Sequence, residues 1–249
     1  MSEQINILQQ QAIELLKELI ATPSFSKEEE ETAAIICKFF ALKGIPASRV
    51  GNNIYALNKC SELCSRIGQR EIKNTKLRDD YYLAAKIYAE TALKIDPKNS
   101  ESNCVMAIAL GRSSMSKSGK EKILNAREVK KHVDAAIAND PQNFKAWHVL
   151  GRWQYEISNL NALERSLVKV LYGGLPPATI KQSIVAFEKA RALRPEFILN
   201  YFEMAKAYKD NHNKNKAITY LQLMFTLPYQ TEDDPVIKQK GRALLKDWQ

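Results

Sequence analysis

Glycine and proline are scarce in this chain, nine of each in 249 residues. So thin a supply of turn formers excludes an all-β chain of short strands and favours long helices with few breaks. Histidine is scarcer still, at three. A catalytic metal needs several convergent ligands, and His132, His148 and His212 are too few and too scattered to supply them. The four cysteines are Cys37, Cys60, Cys64 and Cys104. Only Cys60 and Cys64 are close, and their i, i+4 spacing suits one helix face rather than a C-x-x-C site. With no second Cys or His pair nearby, neither zinc nor any other cofactor is expected, and the thiols read as reduced and half-buried. No apolar run approaches the roughly 18 residues that span a bilayer. Met1 to Gln11 lacks a basic-then-apolar signal pattern. The expectation is a cytoplasmic protein without a membrane span.

What the chain does have is apolar content, 45%, enough for a sizeable core. It also carries a net charge of +9. That charge is uneven: residues 1–57 sum to −2, leaving +11 on the rest. A basic body suits acidic protein tails, anionic surfaces or nucleic acid, and equally makes a plain solvated surface.

The sequence divides near Asn58. Gln4 to Ile20 has apolar residues at helical spacing and ends before Pro23. Ser24 or Ser26 caps a second helix, with Glu28 to Glu31 in its first turns, stopping at Gly44. Gly51-Asn52-Asn53 and Ile54 to Leu57 read as a turn and a short strand. Leu15 to Ser26, Glu29, Lys43-Gly44-Ile45-Pro46 and Gly51 to Ala56 resemble the start of the di-zinc aminoacylase and acetylornithine deacetylase family. That family's H-x-D metal motif would follow about twenty residues on, where Arg66 to Tyr82 holds no histidine. His132-Val133-Asp134 is H-x-D in letters only, since it lies in a helical pattern. Residues 1–58 therefore read as a truncated hydrolase-like segment, without activity, fused to something else and contributing little to its core.

From Lys59 to Gln249 the pattern is repetitive. Helical runs end in proline four times, at Pro97, Pro141, Pro195 and Pro228. The spacings are 44, 54 and 33 residues, against a tetratricopeptide period of about 34. Small and medium apolar residues recur before each proline: Ala85, Ala89, Ala92; Val129, Val133, Ala136; Ser183, Phe187, Ala190; Ala217, Leu221, Met224. After them, Trp147, Leu150 and Gly151, then Tyr201, Met204 and Tyr208, mark the first helix of a hairpin. Single hairpins cannot bury an apolar face, so they stack. The fold expected is an all-α, tetratricopeptide-like solenoid, closed by a helix from Pro235 with Asp234 as cap and Lys238, Lys240, Arg242 and Lys246 in solvent. Two insertions interrupt it. Gly111 to Lys122 reads as a basic loop. Leu160 to Leu171 reads as an extra helix ending at Gly173-Gly174, with Thr179 and Gln182 as the next capping box.

Further segments carry a second resemblance. They include Ala136-Ile137 with Asp140-Pro141, His148 to Trp153, Glu164-Arg165 to Tyr172, Leu175 to Thr179, His212-Asn213-Lys214 and Tyr229 to Asp234. With both insertions, residues from about 80 to 248 resemble the regulators of microtubule dynamics. That resemblance implies a helical adaptor with no catalytic residues.

In stacked hairpins the first helices line a groove. Outward residues there are expected at Lys145, His148, Arg152 and Tyr155, then Leu199, Phe202, Lys206 and Lys209, with Arg112 joining. A basic groove with aromatics fits an acidic peptide, such as a tubulin tail, through charge-assisted bonds. Set beside this is a solvated face whose cations pair internally with Glu156, Glu203 and Asp210. A nucleic-acid binder rests on charge alone, without a recognised motif.

Overall fold

The computed structural model describes residues 54–114 and 119–248. The two helices expected between Gln4 and Gly44 lie outside the described residues. The chain divides into two units, Met1–Asn53 and Ile54–Gln249, and every described residue belongs to the second.

Ten helices and no strand occur among the described residues: α1 Ile54–Arg70, α2 Thr75–Ile95, α3 Ser100–Ser113, α4 Gly119–Asn139, α5 Phe144–Ser158, α6 Ala162–Tyr172, α7 Ile180–Leu193, α8 Ile198–Asp210, α9 Lys214–Thr226 and α10 Asp234–Trp248. Antiparallel hairpins pair α1 with α2, α3 with α4, α5 with α7 and α8 with α9, and α10 packs on the last pair. The first helices α1, α3, α5 and α8 touch in succession and form one row, and each partner also packs on the next first helix.

Local chemistry explains the breaks. After α2 and α4 the chain makes the same turn: Asp96 and Asp140 accept from the backbone two residues on, at 3.0 and 2.9 Å. Asn99 and Asn143 then cap α3 and α5 through their side chains. All twelve residues that recur before the prolines are buried. Gly151 lets the hairpins close: a Cβ there would stand 2.7 Å from the Phe187 ring.

Four expectations change. Ile54 to Leu57 is the first turn of α1, not a strand. Its β-branched and aromatic residues after a turn signal read as extended, but packing decides otherwise. The buried stripe of α1 is Asn58, Ser61, Ser65 and Gly68, and Ser61 donates to the Ala85 carbonyl of α2 at 2.8 Å. A break placed after Asn58 thus falls inside a helix. The insertion after Gly111 is also shorter than a 12-residue loop, since α3 runs to Ser113 and α4 starts at Gly119. Lys238 faces inward rather than to solvent; it is 5% exposed and donates to the Phe225 and Leu227 carbonyls at 2.9 and 2.5 Å. It thereby satisfies the end of α9. Asp234 caps the preceding turn instead of its own helix, accepting from the Gln230 and Thr231 amides at 2.7 Å.

The extra helix α6 has the expected ends. Gly173 and Gly174 adopt left-handed φ values of 74° and 84°, and Thr179 with Gln182 forms the capping box of α7. Arg127 of α4 holds the following loop, donating to the Gly174 carbonyl at 2.5 Å.

Candidate partner-binding face

The row of first helices carries the residues expected to bind a partner. Lys145, near the start of α5, reaches across two helices, donating to Glu101 of α3 at 2.7 Å and to Glu62 of α1 at 3.0 Å. Burial works against its charge, but the two carboxylates more than offset this and raise its pKa. Burial likewise works against the Glu62 carboxylate, which Lys145 and Lys59 nonetheless hold below the usual range. A cleft of about 380 Å³ opens beside this cluster, lined in part by Tyr55, Asn58, Phe144 and Lys145.

His148 departs from the expected outward position. It is 7% exposed, packed between the Phe187 and Phe197 rings at 5.5 and 4.9 Å. Asn200 gives its Nδ2–H to the Phe187 carbonyl at 2.9 Å, so its Oδ1 accepts from His148 Nδ1 at 3.0 Å. Burial pulls the imidazole pKa from 6.5 down to about 4. It is a neutral core group. Tyr155 is also buried, with only its hydroxyl reaching out to donate to Asp210 at 2.5 Å.

Farther along α5 and α8 the charges converge. Glu203 is almost fully buried on α8. Arg152 donates to one of its oxygens, and Lys206 to the other at 3.0 Å. Burial pushes this carboxyl up, yet Arg152 and Lys206 together keep it below its ordinary value. Arg152 also reaches Glu156 at 3.2 Å. Lys206 Nζ stands 5.4 Å from the Tyr155 ring centre and 5.7 Å from that of half-buried Phe202. Leu199 and Lys209 are half-buried on the same helix, and Lys209 makes no ion pair with any described residue.

Arg112, at the end of α3, donates to the Ser65 carbonyl of α1 at 2.7 Å. Burial lowers its guanidinium pKa, against the opposing pull of Tyr82 and Asp233. Asp233 brings in residues the sequence did not single out for a site. Arg66 and Arg70 of α1 hold Glu232 and Asp233, in the segment before α10, with four contacts of 2.6 to 3.0 Å. Helix α1 opens the row and this segment follows its last hairpin, so the row curves until its ends meet. In stacked hairpins of this type the first helices line the concave side, here the inner face. The only hints in the sequence were the i, i+4 arginine pair and the acidic run Glu232-Asp233-Asp234.

Charge on this face is thus largely compensated internally, including the Arg152 pairs to Glu156 and Glu203. No three His, Cys, Asp or Glu side chains form a metal-ligand set among the described residues. His132 instead bonds Asn103 at 2.8 Å and Asp134 is held by Lys130 at 2.6 Å. Among the described residues no helix is long and apolar enough to cross a membrane.

Stacked hairpins around a charged, partly aromatic inner face define a helical-repeat scaffold of the tetratricopeptide type. The family model for Regulator of microtubule dynamics protein 1-3 matches residues 38–249, and the chain belongs to that family. The match takes in residues 38–58, part of the segment expected to be a separate hydrolase-like piece, and that hydrolase resemblance is not shown. Regulator of microtubule dynamics protein 3 of Xenopus laevis is 35% identical over 147 residues, 59% of this chain and 32% of the relative. Protein 1 of Bos taurus is 29% identical over 160 residues, 64% of this chain and 50% of the relative. The chain therefore spans a third to a half of these curated relatives. Among solved structures, a thermophilic TPR protein of Thermus thermophilus gives a TM-score of 0.48 at 15% identity, covering 76% of this chain and 85% of its own. MamA gives 0.42 at 17% identity, covering 88% and 99%.

Proposed function

We propose that the chain is a non-enzymatic adaptor whose inner face holds an acidic segment of a protein partner, in keeping with the microtubule-linked name of its relatives. One observation carries this reading: Arg152 and Lys206 share the single buried carboxylate of Glu203. Arg152 turns a second bond to the more exposed Glu156, which water and an incoming carboxylate both reach. Lys206 is oriented by aromatic rings on two helices, and Lys209 adds an uncommitted charge one turn away. Partly desolvated cations beside an aromatic surface are the combination that binds carboxylates by charge-assisted bonds while packing the peptide's apolar parts. A nucleic acid binds along a broad stripe of free cations, and the internal pairing of this face favours a short acidic segment instead.

The test is binding of a fluorescent glutamate-rich peptide to the full chain. Saturable binding should weaken in Arg152→Gln and in Lys206→Ala, roughly tenfold at low salt for one charge-assisted contact. Melting curves would establish that both variants fold. Binding indifferent to both changes would move the site elsewhere.

A further inference from the structure

The contact between Arg66, Arg70 and the Glu232–Asp233 segment is unusual for a stack of hairpins. Each repeat of such a stack ordinarily touches only its neighbours. Here residues more than 160 positions apart join, each arginine forking across both carboxylates: Nε of Arg66 and Arg70 donates to Asp233 at 2.7 and 2.6 Å, and their Nη2 to Glu232 at 3.0 and 2.8 Å. Two adjacent carboxylates occupy two arginines one helical turn apart. Asp233 also lies within electrostatic reach of Arg112. The segment that presents these carboxylates is short and mostly exposed, with Tyr229, Gln230, Thr231 and Glu232 all in solvent. Asp234 shapes it through the Gln230 and Thr231 amides.

We infer that Arg66 and Arg70 are a second acidic-peptide site, one that the chain's own Glu232–Asp233 pair fills until a partner's paired carboxylates displace it. This rests on the proposed function, since it adds a site to the same inner face. The chemistry favours exchange. Glu232 is largely exposed in its two contacts and Arg70 is half-exposed, while the Arg66–Asp233 pair is more shielded. Exposed ion pairs are individually weak, so the internal segment holds the arginines without locking them. Its grip comes from tethering: a linked carboxylate competes at high effective concentration with a free one. A partner that also engages Arg152 and Lys206 gains the same advantage and tips the exchange. Arg70 and Arg66 are fork-shaped donors that fit carboxylates rather than neutral polar groups. The ligand class is therefore an acidic peptide with two neighbouring carboxylates.

The experiment titrates the same glutamate-rich peptide against the full chain, the double variant E232Q/D233N, and that variant with R66Q/R70Q added, each checked by melting. Removing the internal competitor should tighten binding about fivefold at low salt, the fraction of time the site is freed setting the gain. R66Q/R70Q should abolish the gain. Hydrogen exchange of residues 229–234 should accelerate when the peptide binds the unaltered chain. Unchanged affinity in E232Q/D233N overturns the inference, even where Arg152→Gln and Lys206→Ala weaken binding and leave the proposed function standing. A gain that those two changes leave untouched supports the inference and removes the Arg152–Lys206 site. Absence of binding by every chain overturns both.

Discussion

A histidine enclosed by two phenylalanine rings, with only an asparagine oxygen to bond, cannot take up a second proton cheaply. For His148 the direction of the resulting pH dependence follows at once. Its folded pKa, about 4, lies below the ordinary 6.5. Between those values the unfolded chain binds the proton and the folded chain does not, so stability falls as pH falls through that window and is full above it. The loss should approach about 2 kcal/mol by pH 4.5, read from urea unfolding at pH 7.5, 6 and 4.5. His148→Gln should flatten this component of the curve, and an equally steep curve in that variant would assign the effect to other groups. Gly151 gives a second expectation. Alanine is favoured over glycine within a helix by about 1 kcal/mol, but here its Cβ would meet the fully buried Phe187 ring at 2.7 Å. Overpacking costs about 1–3 kcal/mol, and a fully buried ring can move only by displacing its neighbours. Gly151→Ala should lower the urea midpoint, and a raised midpoint would show that the hairpin relaxes. Both residues also mark what the sequence made legible. Gly151 stands at a repeat position and behaves as one, whereas His148 reads as an outward groove residue because one polar side chain does not reveal that Phe187, Phe197 and Asn200 enclose it.

Elements were legible where punctuation and apolar period agreed. The four proline turns, the double glycine after α6 and the Thr179–Gln182 capping box all delimit helices in the structure. Helix α1 escaped that reading because its buried stripe is Asn58, Ser61, Ser65 and Gly68, small and polar residues that allow close approach without an apolar signal. Helix α6 shows the opposite case, amphipathic in sequence yet scarcely packed. Leu163 and Val170 are 69% and 78% exposed, and its contacts to other helices are few. Its ends are therefore what hold it: the Asn161–Glu164 capping box and the glycine stop. Removing an N-cap side chain costs about 1 kcal/mol. In a helix with little tertiary support, that loss appears as local opening rather than global unfolding. Asn161→Ala should speed amide exchange in residues 162–172 severalfold and leave the melting temperature unchanged. A lowered melting temperature would mean α6 unfolds together with the stack.

At the scale of the whole repeat unit, charge sets how the first helices lie against one another. Lys145 is the clearest instance because one ammonium joins three helices, α5 to Glu101 of α3 and Glu62 of α1. All three side chains are about one-quarter to one-third exposed, so the pair energies are neither negligible nor those of a sealed interior. Lys145→Met keeps the aliphatic stem and leaves Glu101 and Glu62 facing each other without their shared cation, only Glu62 keeping another, Lys59, at 3.3 Å. The loss should be about 1–2 kcal/mol at low salt, most of it the cost of the unpaired acids rather than the worth of the bonds. Adding Glu62→Gln and Glu101→Gln removes that repulsion, so the triple variant should recover most of the stability. Urea unfolding of the three chains, at low and at 1 M salt, separates the possibilities. Recovery in the triple variant, with a single-variant deficit that shrinks in salt, means electrostatic balance fixes the register of α1, α3 and α5. A triple variant as unstable as the single one would mean that the ammonium's hydrogen bonds, not its charge, hold the helices in place. The same balance bears on binding, because every cation already answered by a neighbouring acid must be taken from it by a partner. The face therefore discriminates in favour of ligands presenting several carboxylates at once.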